Sequence, residues 1–157
     1  MNEMQPQRRR DAETAAEKTM MVDNKCEISP DVEPELNRLT ESIIGACIEV
    51  HRELGPGLTE NMYEAALCYE LDLRGIRYQR QVETPVAYKG KPIGKGIIDL
   101  VVEGKVIVEL KACESLTAIH RAQLICYMQV TRLQLGLLVN FNVPVLKDGI
   151  KRVVRTR

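Results

Sequence analysis

The hydrophobic period of this chain first changes after Gly75, and that change constrains the fold more than any other feature. Ahead of it, Leu36, Leu39, Ile43, Cys47, Val50 and Leu54 recur at three- and four-residue steps, one apolar stripe of a helix. The helix opens at Pro34, since a first helical turn does not need the amide hydrogen that proline lacks. Gly55-Pro56-Gly57 stops it, and a second helix follows with Met62, Ala66, Tyr69 and Leu73 expected on its buried face and Gly75 as a left-handed cap. Beyond Gly75 the period is two: Tyr78, Val82, Val86 and Tyr88 alternate with Gln79, Gln81, Glu83 and Ala87, as in a strand with one buried face. Lys89-Gly90-Lys91-Pro92 is turn chemistry. IIDLVVE and KVIVELKA, β-branched runs on either side of Gly104, read as a hairpin. A third helix is expected over residues 116–131, and LGLLVNF, residues 135–141, as a last buried strand. The order α-α-β-β-β-α-β implies an α/β domain, a mixed central β-sheet flanked by helices.

Charge and composition bound the function. The 22 basic and 22 acidic residues cancel, but residues 1–33 carry 5 basic and 8 acidic side chains, and residues 34–157 carry 17 and 14. The first segment has no apolar period and is expected to be a disordered polar tail, its Arg8-Arg9-Arg10 run solvated beside compensating acids. Residues 34–157 are expected to form one domain. Its modest basic excess excludes a non-specific polyanion coat as the main role, while leaving room for polyanion binding at one site. No apolar run approaches the ~18–20 residues of a membrane span, and the N-terminus lacks the apolar core of a secretory signal. A cytoplasmic protein with no membrane partner is the expectation. The five cysteines, Cys26, Cys47, Cys68, Cys113 and Cys126, are odd in number and without C-x-x-C spacing, which argues against a zinc site or a disulfide framework. Cys47, Cys68 and Cys126 sit in helical patterns and are read as small buried hydrophobes.

Chemistry concentrates on the hairpin. Glu109 and Lys111 are two apart and project from the same face of one strand, in itself a weak signal. Asp99 lies in the preceding strand. A three-residue loop of Val102, Glu103 and Gly104 would pair Asp99 with Ile107 and set it diagonal to Glu109, within ~7–8 Å. Two carboxylates at that spacing can converge on one hard cation, which removes their mutual repulsion. A two-residue loop would instead turn Glu109 to the opposite face, and no site would form. On the third helix Leu116, Ile119, Gln123, Tyr127 and Val130 share a stripe with His120 at its edge, so Gln123 is either a core amide or an amide reaching a site at the sheet edge.

Gly96-x-x-Asp99, Glu109-x-Lys111 and Gln123-x-x-x-Tyr127 together resemble the three-part signature of RecB-type nucleases in the PD-(D/E)XK superfamily. Gly57-x-x-Glu60-x-x-Tyr63, with VHRELGPGL before it and NFNVPVLKDGIKRVV near the end, is similar to the GxxExxY protein family of that superfamily, over about residues 37–154. The resemblance implies a restriction-endonuclease-like core and metal-dependent hydrolysis of nucleic-acid phosphodiester bonds. By position, it implies that Asp99, Glu109, the backbone carbonyl of Leu110 and Glu60, directly or through water, hold Mg²⁺ or Mn²⁺. Lys111 would orient the attacking water and stabilise transition-state charge, and Gln123 and Tyr127 would position the phosphate or support the lysine. The chemistry fits those roles, because the reaction needs a Lewis acid, an activated water and a cation beside the developing charge. The implied partner is nucleic acid, DNA ahead of RNA, with a homodimer or larger complex left open. Two other readings stand beside this one: a non-catalytic nucleic-acid- or protein-binding module, and a subunit of a larger DNA repair or defence complex. Some RecB-type nucleases hold an iron–sulfur cluster with three cysteines after the Q-x-x-x-Y element; no cysteine follows Cys126, so none is expected here. Glu64, one turn from Glu60, is either an exposed helical acid, the favoured reading, or a substitute for Glu60 at the metal; Tyr63 is read as helix packing, and His51 and His120 as hydrogen-bonded structural groups ahead of site residues. Gly55-Pro56-Gly57 lacks the G-K-[ST] ending of a phosphate loop.

Deleting residues 1–30 removes almost no periodic apolar surface and is expected to leave the melting temperature of the remainder nearly unchanged. A clear drop in a thermal melt would show that the segment packs on the domain.

Overall fold

The computed structural model describes residues 32–155. The expected tail lies outside them except for Val32 and Glu33, and Val32 is buried in the core. Helix α1 runs Pro34–Leu54 and α2 Glu60–Leu73. Strands β1 (Tyr78–Tyr88), β2 (Lys91–Val102) and β3 (Val106–Lys111) follow, then α3 (Ala118–Thr131) and β4 (Leu135–Asn140). A 3-10 turn (Leu146–Gly149) leads into β5 (Ile150–Val154), a strand the sequence pattern did not reveal. The five strands form one sheet in the order β1-β2-β3-β4-β5. Only β3 and β4 are parallel, and α3 supplies the crossover that such a pair requires. This is the mixed α/β sheet with flanking helices that the element order implied.

Two apolar layers enclose the sheet. On one face Ile43, Cys47, Val50, Leu67 and Leu71 of α1 and α2 meet Leu100, Val108, Leu110 and Val139. On the other, Leu124 and Met128 of α3 meet Ile98, Ile107 and Leu138. Helix α3 approaches β4 so closely that a Cβ on Gly136 would lie 2.7 Å from Leu124 and 3.0 Å from Met128. Helix α2 closes with Gly75 at φ +68°, its N–H bonded to Asp72 O and that of Ile76 to Leu71 O, a Schellman cap that satisfies the last carbonyls.

The buried helix faces differ from expectation. In α2 the core side is Tyr63, Glu64, Leu67, Cys68 and Leu71, while Met62, Tyr69 and Leu73 are exposed. In α3 it is Leu124 and Met128, with Ile119 and Val130 exposed, and Cys126 is exposed too. Both helices carry apolar residues nearly all round, so periodicity alone admits more than one stripe. Strand β1 departs from simple alternation at Gln81, where φ is 52° and the β1/β2 ladder skips Gln81 and Asp99. Ile98 and Leu100, two apart, consequently pack on opposite sides of the sheet.

Tyr63 anchors the α1–α2 turn. Its ring is fully buried and stacks on Phe141 at 4.4 Å. Its hydroxyl donates to Gly55 O (2.5 Å) and accepts from Leu58 N–H (3.1 Å). His51 Nε2 bonds Val143 O at 2.7 Å, and His120 Nδ1 accepts from Thr117 N–H in the α3 capping box, so both histidines are structural. Tyr63→Phe leaves the turn's carbonyl and amide without that hydroxyl. It is expected to cost about 1–2 kcal/mol in urea denaturation.

Candidate active site

The β2–β3 hairpin decides whether the carboxylates meet. Its loop has three residues, Glu103, Gly104 and Lys105, with Glu103 at φ 52° and Gly104 at φ 66°. The loop length is as expected but begins one residue later. Leu100 therefore pairs with Val108, and Asp99 comes opposite Glu109 rather than Ile107. The side-chain parity is the one a site requires.

The regular ladder ends at Leu100 and Val108, and the two acids take over where it stops. Asp99 Oδ2 accepts from Leu110 N–H at 2.8 Å, and Glu109 Oε1 accepts from Asp99 N–H at 3.2 Å. Each carboxylate thus satisfies a main-chain donor on the facing strand that the splayed ladder leaves unpaired. Glu109 is buried, and burial together with the adjacent Asp99 charge pushes its carboxyl up to about 8. Asp99 is also raised: burial dominates, the Leu110 N–H opposes it, Glu64 raises it further, Lys111 lowers it and Glu60 raises it. Lys111, next on the same face of β3, sets its Nζ 3.4 Å from Gln123 Oε1. Gln123 is exposed and so is not a core amide; its oxygen meets Lys111 at the end of the central strand β3. Tyr127, one turn further, lies so close to Gly96 that a Cβ there would be 2.4 Å from its ring. The glycine three residues before Asp99 is what lets α3 close over β2.

Of the two helical acids, the one expected to be exposed, Glu64, is buried. Glu60 is the first residue of α2 and exposed; Glu64 is 4% exposed. Glu64 is held by Arg80 Nε at 2.6 Å and Gln81 Nε2 at 2.9 Å. Sequence reasoning placed neither Arg80 nor Gln81 at the site. The available signal was that Glu64 follows Tyr63 and precedes Leu67, the stripe that is buried. Among the described residues, no three His, Cys, Asp or Glu side chains converge as a ready metal-binding set. The carboxylates that meet are Asp99 and Glu109, a hard-oxygen pair suited to a divalent cation that keeps most of its waters.

The fold agrees with the family to which the chain is matched. The model of the PD-(D/E)XK nuclease superfamily matches residues 37–153, and the chain belongs to that superfamily. It is similar to a solved structure described as "Crystal structure of SSO0001", with 17% identity and a TM-score of 0.44 over 98% of this chain and 79% of the other. No curated protein matches it. Among the described residues, no helix is long and apolar enough to cross a membrane.

The raised carboxyls carry a stability signature. With a folded value of about 8, Glu109 keeps its proton where the unfolded chain, near the ordinary 4.5, has lost it. Stability of the metal-free protein should therefore fall as pH rises between those values, with no further loss above them. In EDTA the melting temperature is expected to drop from pH 5.5 to 8.5, and Glu109→Gln should flatten the drop and melt higher than the parent at pH 8.5. An unchanged slope would show that Glu109 ionises normally.

Proposed function

We propose that the chain is a metal-dependent nuclease hydrolysing nucleic-acid phosphodiester bonds, that it groups with the GxxExxY family, and that it acts in the cytoplasm. The observation that carries the reading is the meeting of Asp99 and Glu109, which bond across β2 and β3 with their side chains, beside a lysine whose ammonium lies 3.4 Å from Gln123 Oε1. A buried Glu109 beside a half-buried Asp99 is a costly pair of like charges for a fold, and it gains a purpose when a cation sits between them.

In this reading Asp99, Glu109 and the Leu110 carbonyl hold Mg²⁺ or Mn²⁺. Bound there, the ion supplies Lewis-acid stabilisation of the phosphoryl oxygens and lowers the pKa of the attacking water. Lys111 stands beside the pair and places a positive charge where negative charge develops on phosphorus. Gln123 keeps that ammonium turned toward the site, and Tyr127 fixes the helix that carries Gln123. Glu60, solvent-exposed at the start of α2, acts through water, while Glu64 holds Arg80 and Gln81 behind Asp99.

Purified protein, labelled single- and double-stranded DNA and RNA, and Mn²⁺ followed by EDTA provide the test. Asp99→Asn and Glu109→Gln are each expected to weaken metal binding by calorimetry and to abolish cleavage without unfolding the chain. Lys111→Ala should bind metal normally and lose turnover by on the order of 10²-fold or more. A parent protein with no metal-dependent cleavage of any of the four substrates would sink the assignment in favour of a binding module. Cleavage at full rate in all three variants would trace to a contaminant and leave the assignment without support.

A further inference from the structure

Strands β1 and β2 are twice the length the sheet can use. Strand β3 pairs only with Leu100, Val101 and Val102 of β2, so the ribbon beyond Asp99 has no third strand. Tyr127 against Gly96 and the buried Thr84 root it on the domain. Past that root every residue from Ala87 to Lys95 is exposed. The tip is a two-residue turn, Lys89-Gly90, with both residues at positive φ (48° and 80°), the geometry that matches strand twist in a tight hairpin.

We propose that this ribbon is the arm by which the chain grips duplex DNA, a reading that rests on nucleic acid being the substrate. Residues 85–97 hold three lysines, Lys89, Lys91 and Lys95, and no acid. Lys89 lies 5.4 Å above the Tyr88 ring, and among the described residues only Lys95 of the three is engaged by a carboxylate, that of Glu83. Tyr88 and Ile93 are each 62% exposed at the tip. The edges are closed to another strand, because Pro85 and Pro92 lack N–H donors and the register shifts between Val86 and Ala87. Side chains are therefore what the ribbon offers, and they are cationic with an apolar tip. A two-stranded ribbon fits the major groove of B-form DNA, whereas the deep, narrow major groove of A-form RNA excludes it. Strand β2 continues from Lys91 to Asp99 with one bulge at Ile93, so the tip lies at most about 26 Å of strand from the acid pair. At 3.4 Å per step, that is about 8 base pairs of duplex.

The test is duplex binding in EDTA, where no cleavage occurs. A labelled duplex of about 24 base pairs is titrated with the full chain by fluorescence anisotropy over a salt series, beside single-stranded DNA and duplex RNA. Replacing Lys89, Lys91 and Lys95 together by Ala should weaken duplex DNA binding about ten- to a hundredfold. The log–log salt slope should fall by about 2–3, one contact per lysine freed. The triple replacement by Arg should restore both, which separates lost charge from lost structure. The hydroxyl-radical footprint of the parent should extend about 8 base pairs to one side of the protected centre and shorten in the Ala variant. Unchanged affinity and slope in the Ala variant, no measurable duplex binding by the parent, or tighter binding to duplex RNA would each overturn the proposal. Absence of metal-dependent cleavage with these binding results intact would count against the nuclease reading and leave the arm standing.

Discussion

Two hydrogen bonds at the end of the β2/β3 ladder hold the site together. Up to Leu100 and Val108 the strands bond backbone to backbone; beyond that they diverge, and Asp99 and Glu109 bond across the opening with their side chains. The same divergence creates both the need and the place for the acids. Without those main-chain donors the two carboxylates would stand side by side with nothing from the facing strand to accept. As it is, each acid keeps one oxygen occupied by the protein and leaves capacity for a ligand.

Around that opening the sequence was legible in proportion to how local its signals are. The α1 stripe, the hairpin and β4 are each written in a run of neighbouring residues, and they lie close to where the pattern puts them. The loop length brings Asp99 level with Glu109, although the exact pairing slides because Lys105 belongs to the loop and Val102 to the strand. Strand β5 was not legible: five residues at the sheet edge, two of them basic, do not separate from a solvated tail. The faces of α2 and α3 were not legible either, because which of two apolar stripes is buried depends on partners far along the chain.

Glu64 illustrates the same limit at a functional position. A carboxylate in the middle of a helix is ordinarily solvated, since burying it unpaired is costly. Its burial is made possible by Arg80 and Gln81, which belong to β1, and Gln81 reaches it from a left-handed backbone conformation that no local pattern announces. That conformation also sits beside the point where β2 reverses its inward face at Asp99. The irregularity that hid Glu64 from sequence reasoning is therefore part of what presents Asp99. A strand of strict alternation would have kept Ile98 and Leu100 on one face.

Helix α3 ties the remaining parts to one another. Its depth is set where Leu124 and Met128 press on Gly136 of β4, a contact that any side chain at that position would push apart. One turn of the same helix carries Gln123 to Lys111 and Tyr127 to Gly96. The lysine and the base of the long ribbon are thus positioned by a single rigid element seated on a glycine in the core. Small changes in how α3 sits on β4 would reach the acid pair and the ribbon together, since interiors packed at crystal-like density transmit displacement and do not absorb it. Gly96 and Gly136 therefore act through packing: they matter because of what stands where a Cβ would be, and neither needs a backbone angle that other residues avoid.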